Sequence, residues 1–188
     1  MGEGEGLARR VGRLVHLALE REIEGEGVLA AFDPSLPLPL VREALSLAAR
    51  FREEKIYRPL REGAVAREYR TMLRLGPLRI DCVVDLVGED FVLDYKTDRE
   101  VLPEHHILQL WAYSEATRRQ RAHIAYLRHD RLHTFLPLEL RAAGKRCGEI
   151  AEGIVAGRFP SRPSAKACSS CPYGEICEEA VIAGVADP

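Results

Sequence analysis

The sequence predicts an α/β protein with a mixed central β-sheet flanked by helices. Two helical segments precede three consecutive strands, and a helix, a second strand pair and a last helix follow. Apolar residues recur at helical spacing over residues 7–24 and 40–57, and the pattern then changes to the alternation that is typical of strands. With 188 residues, of which 46% are hydrophobic, the chain is suited to one domain with its own core.

Each element has its own sequence signal. The first helix ends at Gly25 and the second before Pro59, because glycine and proline interrupt helical hydrogen bonding. Turn residues at 76–77 and 88–90 separate three predicted strands at residues 64–75, 78–87 and 91–97. The elements predicted after them are a helix at 104–119, a strand pair at 123–128 and 132–136, and a helix at 138–156. From residue 161 we expect a loop, a cysteine cluster and a short last helix.

Composition excludes few functions. The chain has 27 Lys and Arg against 29 Asp and Glu, so its net charge of −2 gives no argument for nucleic acid. No apolar run reaches about 18 residues, so no membrane span is expected. The start lacks the apolar core of a signal peptide, which predicts a cytoplasmic location, and its trimmed appearance suggests a domain of a longer protein. Arginine occurs in clusters, which suit phosphate contacts and solvated helix faces alike.

The most informative stretch is FVLDYKTD at residues 91–98. Asp94 and Lys96 are two residues apart, so they point to the same face of a strand just where its apolar run ends. The preceding strand carries Asp81 and Asp85, also on one face. A two-residue turn between these strands would place Asp85 opposite Asp94, whereas a longer turn or a bulge would bring Asp81 nearer.

Opposed carboxylates on paired strands repel each other, so such a hairpin needs a compensating charge. Mg²⁺ or Mn²⁺ would supply it, because both take hard oxygen ligands. The cation would activate water for attack on a phosphorus atom, and Lys96 would orient that water or offset the charge that develops. An ordinary solvent-exposed acidic face explains the same residues without any chemistry.

Three motifs, in this order, resemble the PD-(D/E)xK nucleases, and more specifically the nuclease domains of the RecB/AddA type. GRLVHLALE at residues 12–20 contains a G-x-x-x-H helix motif that ends at His16. Asp81 is followed 13 residues later by Asp94 of the DYK sequence. QLWAY at residues 109–113 is a Q-x-x-x-Y helix motif. Leucine at position 78 stands where the family often has glycine, which leaves Asp85 as a rival to Asp81; the 13-residue separation favours Asp81.

The resemblance implies a restriction-endonuclease-like core with a metal site. The predicted metal ligands are His16, Asp81, Asp94 and the main-chain carbonyl of Tyr95. A nitrogen ligand would shift the preference toward Mn²⁺. As a plain alternative, a single histidine on an apolar helix face is a core residue with a satisfied hydrogen bond.

The resemblance also assigns catalytic roles to the DYK lysine and the third motif. Gln109 and Tyr113 are one helical turn apart and share a face. They would orient Lys96 and contact the DNA strand. Core packing of Tyr113 and capping of a strand by Gln109 are the structural alternatives.

The tail contains three close cysteines, Cys168, Cys171 and Cys177, spaced C-x2-C-x5-C. In a reduced compartment such a cluster more often binds metal than forms disulfides. The spacing resembles the iron-sulfur nucleases of the RecB family and implies a [4Fe-4S] cluster, but the fourth cysteine of that family, before the histidine motif, is missing here. Cys147 could replace it only if its helix packs against the tail, and Cys82 is expected to point into the core. Zinc, free thiols or a disulfide stay open.

The leading prediction is a Mg²⁺- or Mn²⁺-dependent deoxyribonuclease that hydrolyses phosphodiester bonds, as an exonuclease or endonuclease, in single-stranded DNA. The resemblance implies DNA end processing and recombinational repair, with a superfamily 1 helicase fused or associated as partner. We expect one nuclease domain over residues 1–188, with 161–188 as its cysteine-containing tail. The DNA contacts are predicted at Arg118, Arg119 and Arg128.

Three alternatives follow from the same residues. A CRISPR-adaptation exonuclease of the RecB-like kind resembles the chain in length and cysteine tail, but the missing N-terminal cysteine and Asp instead of Glu at position 94 argue against it. A scaffold domain of the same fold would bind DNA without cutting it, which the intact set of acidic, lysine and histidine residues opposes. An iron-sulfur sensor leaves the acidic hairpin unexplained.

Overall fold

The computed structural model describes residues 3–169 and 171–181. Its centre is a five-stranded sheet, and the strands are β1 (Ala64–Leu75), β2 (Leu78–Gly88), β3 (Phe91–Lys96), β4 (Arg121–Tyr126) and β5 (Arg131–Phe135). The strands lie side by side in chain order. β3 and β4 are parallel, and the other neighbouring pairs are antiparallel. The mixed sheet flanked by helices confirms the predicted fold class.

Helices cover both faces of the sheet. Those within the described residues are α1 (Glu3–Glu20), α2 (Glu26–Ala30), α3 (Leu38–Glu53), α4 (Arg58–Glu62), α5 (Ile107–Thr117), α6 (Pro137–Val155) and α7 (Ala165–Ser169). Short 3₁₀ turns at Lys55–Tyr57 and Pro103–His105 precede α4 and α5. None of the described helices has the length and apolar character needed to cross a membrane.

Two hydrophobic cores lie on opposite faces of the sheet. On one face, α1 and α3 pack against the sheet residues Leu86, Leu93 and Tyr95. On the other face, α5 and the start of α6 cover a second cluster that includes Val92 and Ile124. Successive residues of β3 alternate between these clusters, because neighbouring side chains of a strand point to opposite faces.

The parallel pairing of β3 with β4 determines where α5 lies. Two parallel strands cannot be joined by a hairpin, so the chain must cross over the sheet between them. α5 makes this crossover and contacts both strands. The end of β3, which carries the DYK sequence, therefore lies beside a helix that follows it directly in the chain.

The main elements agree with the sequence prediction to within a few residues, and the differences occur at the helix ends. The first helix ends at Glu20, because Glu22 adopts a left-handed conformation with φ of 54°. The second ends at Glu53, and the predicted remainder as far as Tyr57 forms the 3₁₀ turn. α4 follows it, with Pro59 in its first turn. The short helices α2 and α4 were not predicted, since five residues are too few to show a period.

The tail is described only in part. α7 lies at the start of the cysteine cluster, and residues 171–181 form turns without a further helix. A last helix beyond that point would fall on residues 182–188, which lie outside the described residues.

We expect the docking of α1 to depend on Leu14, which is 2% exposed in the first core. Leu14→Ala should lower the free energy of unfolding by about 2–5 kcal/mol, since it removes buried methyl groups and leaves a cavity. Urea unfolding followed by circular dichroism measures the change. Leu138→Ala is the matched control, because that leucine is 69% exposed on α6, and its effect should stay within about 0.5 kcal/mol. Equal losses in both variants would contradict the packing of α1 described here.

Candidate active site

The site lies at a fork between β2 and β3. The two strands are joined by a two-residue turn and pair over only two residue pairs, after which β2 follows β1 and β3 follows β4. The last pair is Leu86–Leu93, so Asp85 and Asp94 are the next residues of the two strands, at the point where the strands diverge. An oxygen of Asp85 accepts a hydrogen bond of 2.6 Å from the backbone N–H of Tyr95. The Asp85 side chain thus replaces the strand-to-strand bond that the fork has lost.

Asp94 is the centre of a polar network with α5. The Lys96 ammonium lies 2.6 Å from Oδ2 of Asp94. The Gln109 amide donates to Oδ1 of Asp94 at 3.1 Å and to the Tyr113 hydroxyl at 2.7 Å, and its carbonyl accepts from Lys96 at 3.2 Å. The structure therefore brings together the four residues predicted from the DYK and Q-x-x-x-Y sequences.

Burial makes Asp94 an unusual carboxylate. It is only 2% exposed, and the Lys96 ammonium, 2.6 Å from Oδ2, supplies the compensating charge. Burial raises the pKa of Asp94, the nearby charge of Asp85 raises it further, and Lys96 opposes the rise. A divalent cation beside this carboxylate would further stabilise its charged form.

A second group of ligand atoms lies on the other side of the fork. His16, Glu68 and Asp85 each place a nitrogen or oxygen within 4.8 Å of the others. The Nδ1 atom of His16 is 3.1 Å from Asp85 and 4.0 Å from Glu68. Among the described residues this is the one group of at least three His, Cys, Asp or Glu side chains that is close enough to hold a metal ion.

Charge in this group favours the protonated histidine. Burial disfavours the imidazolium, but the hydrogen bond and charge of Asp85, together with Asp94 and Glu68, outweigh burial and raise the pKa of His16 to about 9. Burial and the charge of Asp85 likewise raise the pKa of Glu68. The imidazolium partly compensates the acidic residues when no metal is bound, and a metal must displace its proton.

Glu68 is the site residue that the sequence reasoning missed. It lies within β1 at φ of 44°, a conformation that is rare for residues other than glycine and is found at strained functional positions. The alternation of β1 changes phase after this residue: the half-buried positions are 64, 66 and 68 and then 71, 73 and 75. The signal was available, because counting back from the turn at Gly76-Pro77 pairs residue 68 with Asp85.

The G-x-x-x-H motif has a steric explanation. A Cβ atom at Gly12 would lie 3.0 Å from Oγ1 of Thr97, which directly follows β3. The absence of a side chain lets α1 approach the end of the DYK strand, and His16 follows one turn later, above Asp85. The two motifs are therefore parts of one contact.

Tyr95 contributes its backbone to the fork and its ring to the core. The ring is 3% exposed and packs against Phe51 and His16. Its N–H points toward Asp85, and the N–H and C=O of one strand residue face the same edge. The Tyr95 carbonyl thus faces the fork, as its predicted role as a metal ligand requires.

Asp81 lies away from this group. It is an exposed residue opposite Met72 in the β1–β2 pair, four residues from Asp85 along β2 and so about 13 Å distant. The geometry favours Asp85, the rival in the sequence, as the β2 ligand. A longer turn, which would have brought Asp81 to Asp94, is not present.

The predicted DNA-binding arginines are not gathered at the fork. Arg118 and Arg119 lie at the C-terminal end of α5, beyond the Gln109 and Tyr113 face. Arg128 forms an ion pair of 2.5 Å with Glu43 and donates to the Thr97 carbonyl at 2.7 Å. Its role in the structure is to hold the loop after β3.

The cysteines do not form a metal group within the described residues. Cys168, Cys171 and Cys177 are free thiols in the tail. Cys147 lies on α6 beside Trp111 and Ala151 in the wall of an apolar cavity. Cys82 is buried under α5, as expected. The structure gives no support to the iron-sulfur cluster predicted from the spacing.

A family model decides the classification. The model of the PD-(D/E)XK nuclease superfamily matches residues 2–178, nearly the whole chain. The chain belongs to this superfamily. Its nucleases use divalent metals, and the nitrogen and oxygen donors of the His16, Glu68 and Asp85 group fit such an ion.

Solved structures agree with the fold. A structure of a candidate exonuclease from Eubacterium rectale is similar to this chain, with a TM-score of 0.67 and 14% identity over 96% of this chain and 77% of that one. At that identity the likeness establishes the fold alone. The structure of SSO0001 covers 97% of this chain and 99% of its own at 16% identity, with a TM-score of 0.46 that supports no further argument. A search of curated proteins found no match.

The choice between the two β2 carboxylates can be tested by metal binding. We expect Asp85→Asn to weaken Mn²⁺ binding by roughly 100-fold, since it removes a group beside both His16 and Asp94. Asp81→Asn is the matched control and should leave the affinity nearly unchanged. Electron paramagnetic resonance of free Mn²⁺ measures both. If Asp81→Asn lowered the Mn²⁺ affinity more than Asp85→Asn did, Asp81 would be the ligand.

Metal affinity should also depend on pH. His16 has a pKa of about 9 without metal, so at pH 7 a metal ion competes with a proton for the imidazole. Mn²⁺ affinity should therefore rise by about tenfold per pH unit from pH 7 and level off above pH 9. Calorimetry in buffers of different ionisation enthalpy should detect about one proton released per ion at pH 7.5. A His16→Gln variant with the same proton release would show that His16 is not the source.

Proposed function

We propose that this chain is a Mg²⁺- or Mn²⁺-dependent deoxyribonuclease of the RecB/AddA type, which hydrolyses phosphodiester bonds in single-stranded DNA. The observation that carries the proposal is the fork, where Asp94, Lys96 and Gln109 meet beside His16, Glu68 and Asp85. Membership of the PD-(D/E)XK superfamily supports nuclease chemistry. The match of the DYK, G-x-x-x-H and Q-x-x-x-Y sequences favours the RecB/AddA type within it.

The proposed metal ligands are Asp85, Asp94, His16 and the Tyr95 carbonyl, with Glu68 as a further acidic ligand or as an acceptor for the His16 proton. When bound, the cation polarises the phosphate and lowers the pKa of water. The protein residues hold it at the one point where β2, β3 and α1 meet. Two buried carboxylates and one nearby glutamate supply the negative charge that such an ion requires.

Lys96 is the proposed stabiliser of charge on the phosphate. An ammonium group has three N–H donors, and contacts with Asp94 and Gln109 leave one for a phosphate oxygen or a water molecule. Gln109 fixes this arrangement, since its carbonyl accepts from Lys96 while both of its N–H groups are engaged by Asp94 and Tyr113. Burial raises the pKa of Tyr113, so its hydroxyl keeps a proton that it can donate to the DNA strand.

DNA end processing and recombinational repair, together with a superfamily 1 helicase, are the proposed context. This part rests on the resemblance of the motifs to RecB/AddA nuclease domains. One domain over residues 1–188 with a tail from 161 is proposed with it, as is a cytoplasmic location. The iron-sulfur cluster stays a prediction from the cysteine spacing alone.

Cleavage of end-labelled single-stranded DNA with Mn²⁺ or Mg²⁺ tests the proposal. We expect Lys96→Ala to lower the cleavage rate by about 100- to 1,000-fold, because it removes a charge aimed at the phosphate. Asp94→Ala should lose activity at least as severely, and a chelator should abolish it. Asp90→Ala is the control, since Asp90 is exposed in the hairpin turn and pairs only with Arg121 among the described residues.

The outcomes separate the candidate functions. Metal-dependent cleavage that survives Asp94→Ala would move the active centre elsewhere. A wild-type protein that neither binds metal nor cuts would be a scaffold domain. Metal binding without cleavage would mean that the site forms and that cutting requires a partner such as the helicase.

A further inference from the structure

The β1–β2 hairpin extends beyond the fork, and none of the described helices covers one of its faces. Beyond Glu68 and Asp85, the next cross-strand pairs on this face are Arg70–Val83, Met72–Asp81 and Arg74–Arg79. We call these six residues the hairpin face. Val83 is half-buried and the other five are exposed.

The opposite side of the same hairpin is buried. Cys82 belongs to the core under α5, and Leu73 and Ile80 pack against that core. Because side chains alternate along a strand, the intervening residues take the opposite side of the ribbon, although Arg79 and Asp81 also reach the rim of the cavity beside α5. The burial pattern of β1 changes phase after Glu68, which has a left-handed backbone, so the hairpin face begins next to the candidate metal group.

The arginines of the hairpin face form no ion pairs within the described residues, whereas several exposed arginines elsewhere do. Arg42, Arg58 and Arg121 each form an ion pair with a carboxylate. Arg70, Arg74 and Arg79 form no side-chain hydrogen bond or ion pair in the described part of the chain, although the charge of Arg70 acts on Glu68 and opposes the rise in that carboxyl's pKa. No ion pair among the described residues neutralises their positive charge, which lies on the exposed face of a two-stranded ribbon.

Two of these arginines are placed unfavourably for the folded protein alone. Arg74 and Arg79 are directly opposite each other next to the Gly76-Pro77 turn, and like charges at opposed positions repel. Asp81, one pair away, is the only carboxylate of the hairpin face and forms no ion pair with them within the described residues. An anion bound between the guanidinium groups would remove the repulsion.

We propose that the hairpin face is a binding track for single-stranded DNA, which leads the strand to the fork with its phosphates on Arg70, Arg74 and Arg79. The track extends six residues along β1 from Glu68, or about 20 Å. Its width is that of two strands, which suits one nucleic-acid backbone, and Met72 and Val83 offer apolar contact to sugars or bases. The track deepens the proposed nuclease function and rests on it for the identity of the ligand.

A salt titration of DNA binding tests the track. The probe is a fluorescein-labelled 12-nucleotide oligothymidine, with Ca²⁺ in place of Mg²⁺, and Asp94→Asn is included in every protein to prevent cleavage. Each lost phosphate contact should reduce the slope of log affinity against log salt by about 0.7 for a single strand. The triple variant Arg70→Gln, Arg74→Gln, Arg79→Gln should therefore lose about 2 from the magnitude of the slope.

The matched control removes the same charge elsewhere. Arg141, Arg146 and Arg158 are exposed and lie on or just after α6. Their triple change to Gln should leave the slope nearly unaltered, and thermal unfolding checks that both variants are folded. An unaltered slope in the hairpin variant, or an equal loss in the control, would overturn the track.

The cleavage assay distinguishes a failure of the track from a failure of the nuclease proposal. The track would be overturned, and the nuclease proposal would stand, if two results were found together. The wild-type protein would cut DNA, and the hairpin variant would bind DNA with the wild-type salt slope. If the wild-type protein neither binds metal nor cuts DNA, and the hairpin variant still shows the smaller salt slope, the track stands as a DNA-binding surface and the nuclease proposal fails.

Discussion

The structure depends on a pair of buried carboxylates at the place where two strands separate. Asp85 and Asp94 are 6% and 2% exposed, and two such charges cost several kcal/mol to bury unless they are paired and hydrogen-bonded. The surrounding groups supply that compensation: the Tyr95 N–H and His16 for Asp85, and Lys96 and Gln109 for Asp94. Both carboxylates are therefore compensated within the fold before any metal binds.

Three elements that are distant in the sequence reach this pair, each for its own physical reason. α1 comes close because Gly12 has no side chain to separate it from Thr97. β1 contributes Glu68, whose own left-handed backbone accompanies a carboxylate that lies beside His16 and Asp85. α5 lies against Asp94 because parallel strands require a crossover. The site therefore needs the complete layered fold, and no single motif contains it.

Arginine illustrates why composition said little about DNA. Many guanidinium groups of this chain have structural partners: Arg10 pairs with Asp33, Arg52 donates to two backbone carbonyls, and Arg128 ties α3 to the loop after β3. Such groups are counted as positive charge in the sequence but are neutralised or engaged in the fold. Strand register decides which arginines stay exposed to a phosphate. In the β1–β2 pair it places Arg70, Arg74 and Arg79 on one face of the hairpin.

By itself, the sequence determined the fold class, the five strands and the position of the DYK residues, because hydrophobic period and turn residues are local properties. It also indicated His16, Gln109 and Tyr113, which are spaced by helical turns. Only the tertiary structure decided that Asp85 and Glu68 lie beside His16, that Arg118 lies at the end of α5 and that Arg128 is tied to the loop after β3. These features depend on strand register, on one left-handed dihedral angle and on contacts between distant elements, none of which is a local property of the sequence.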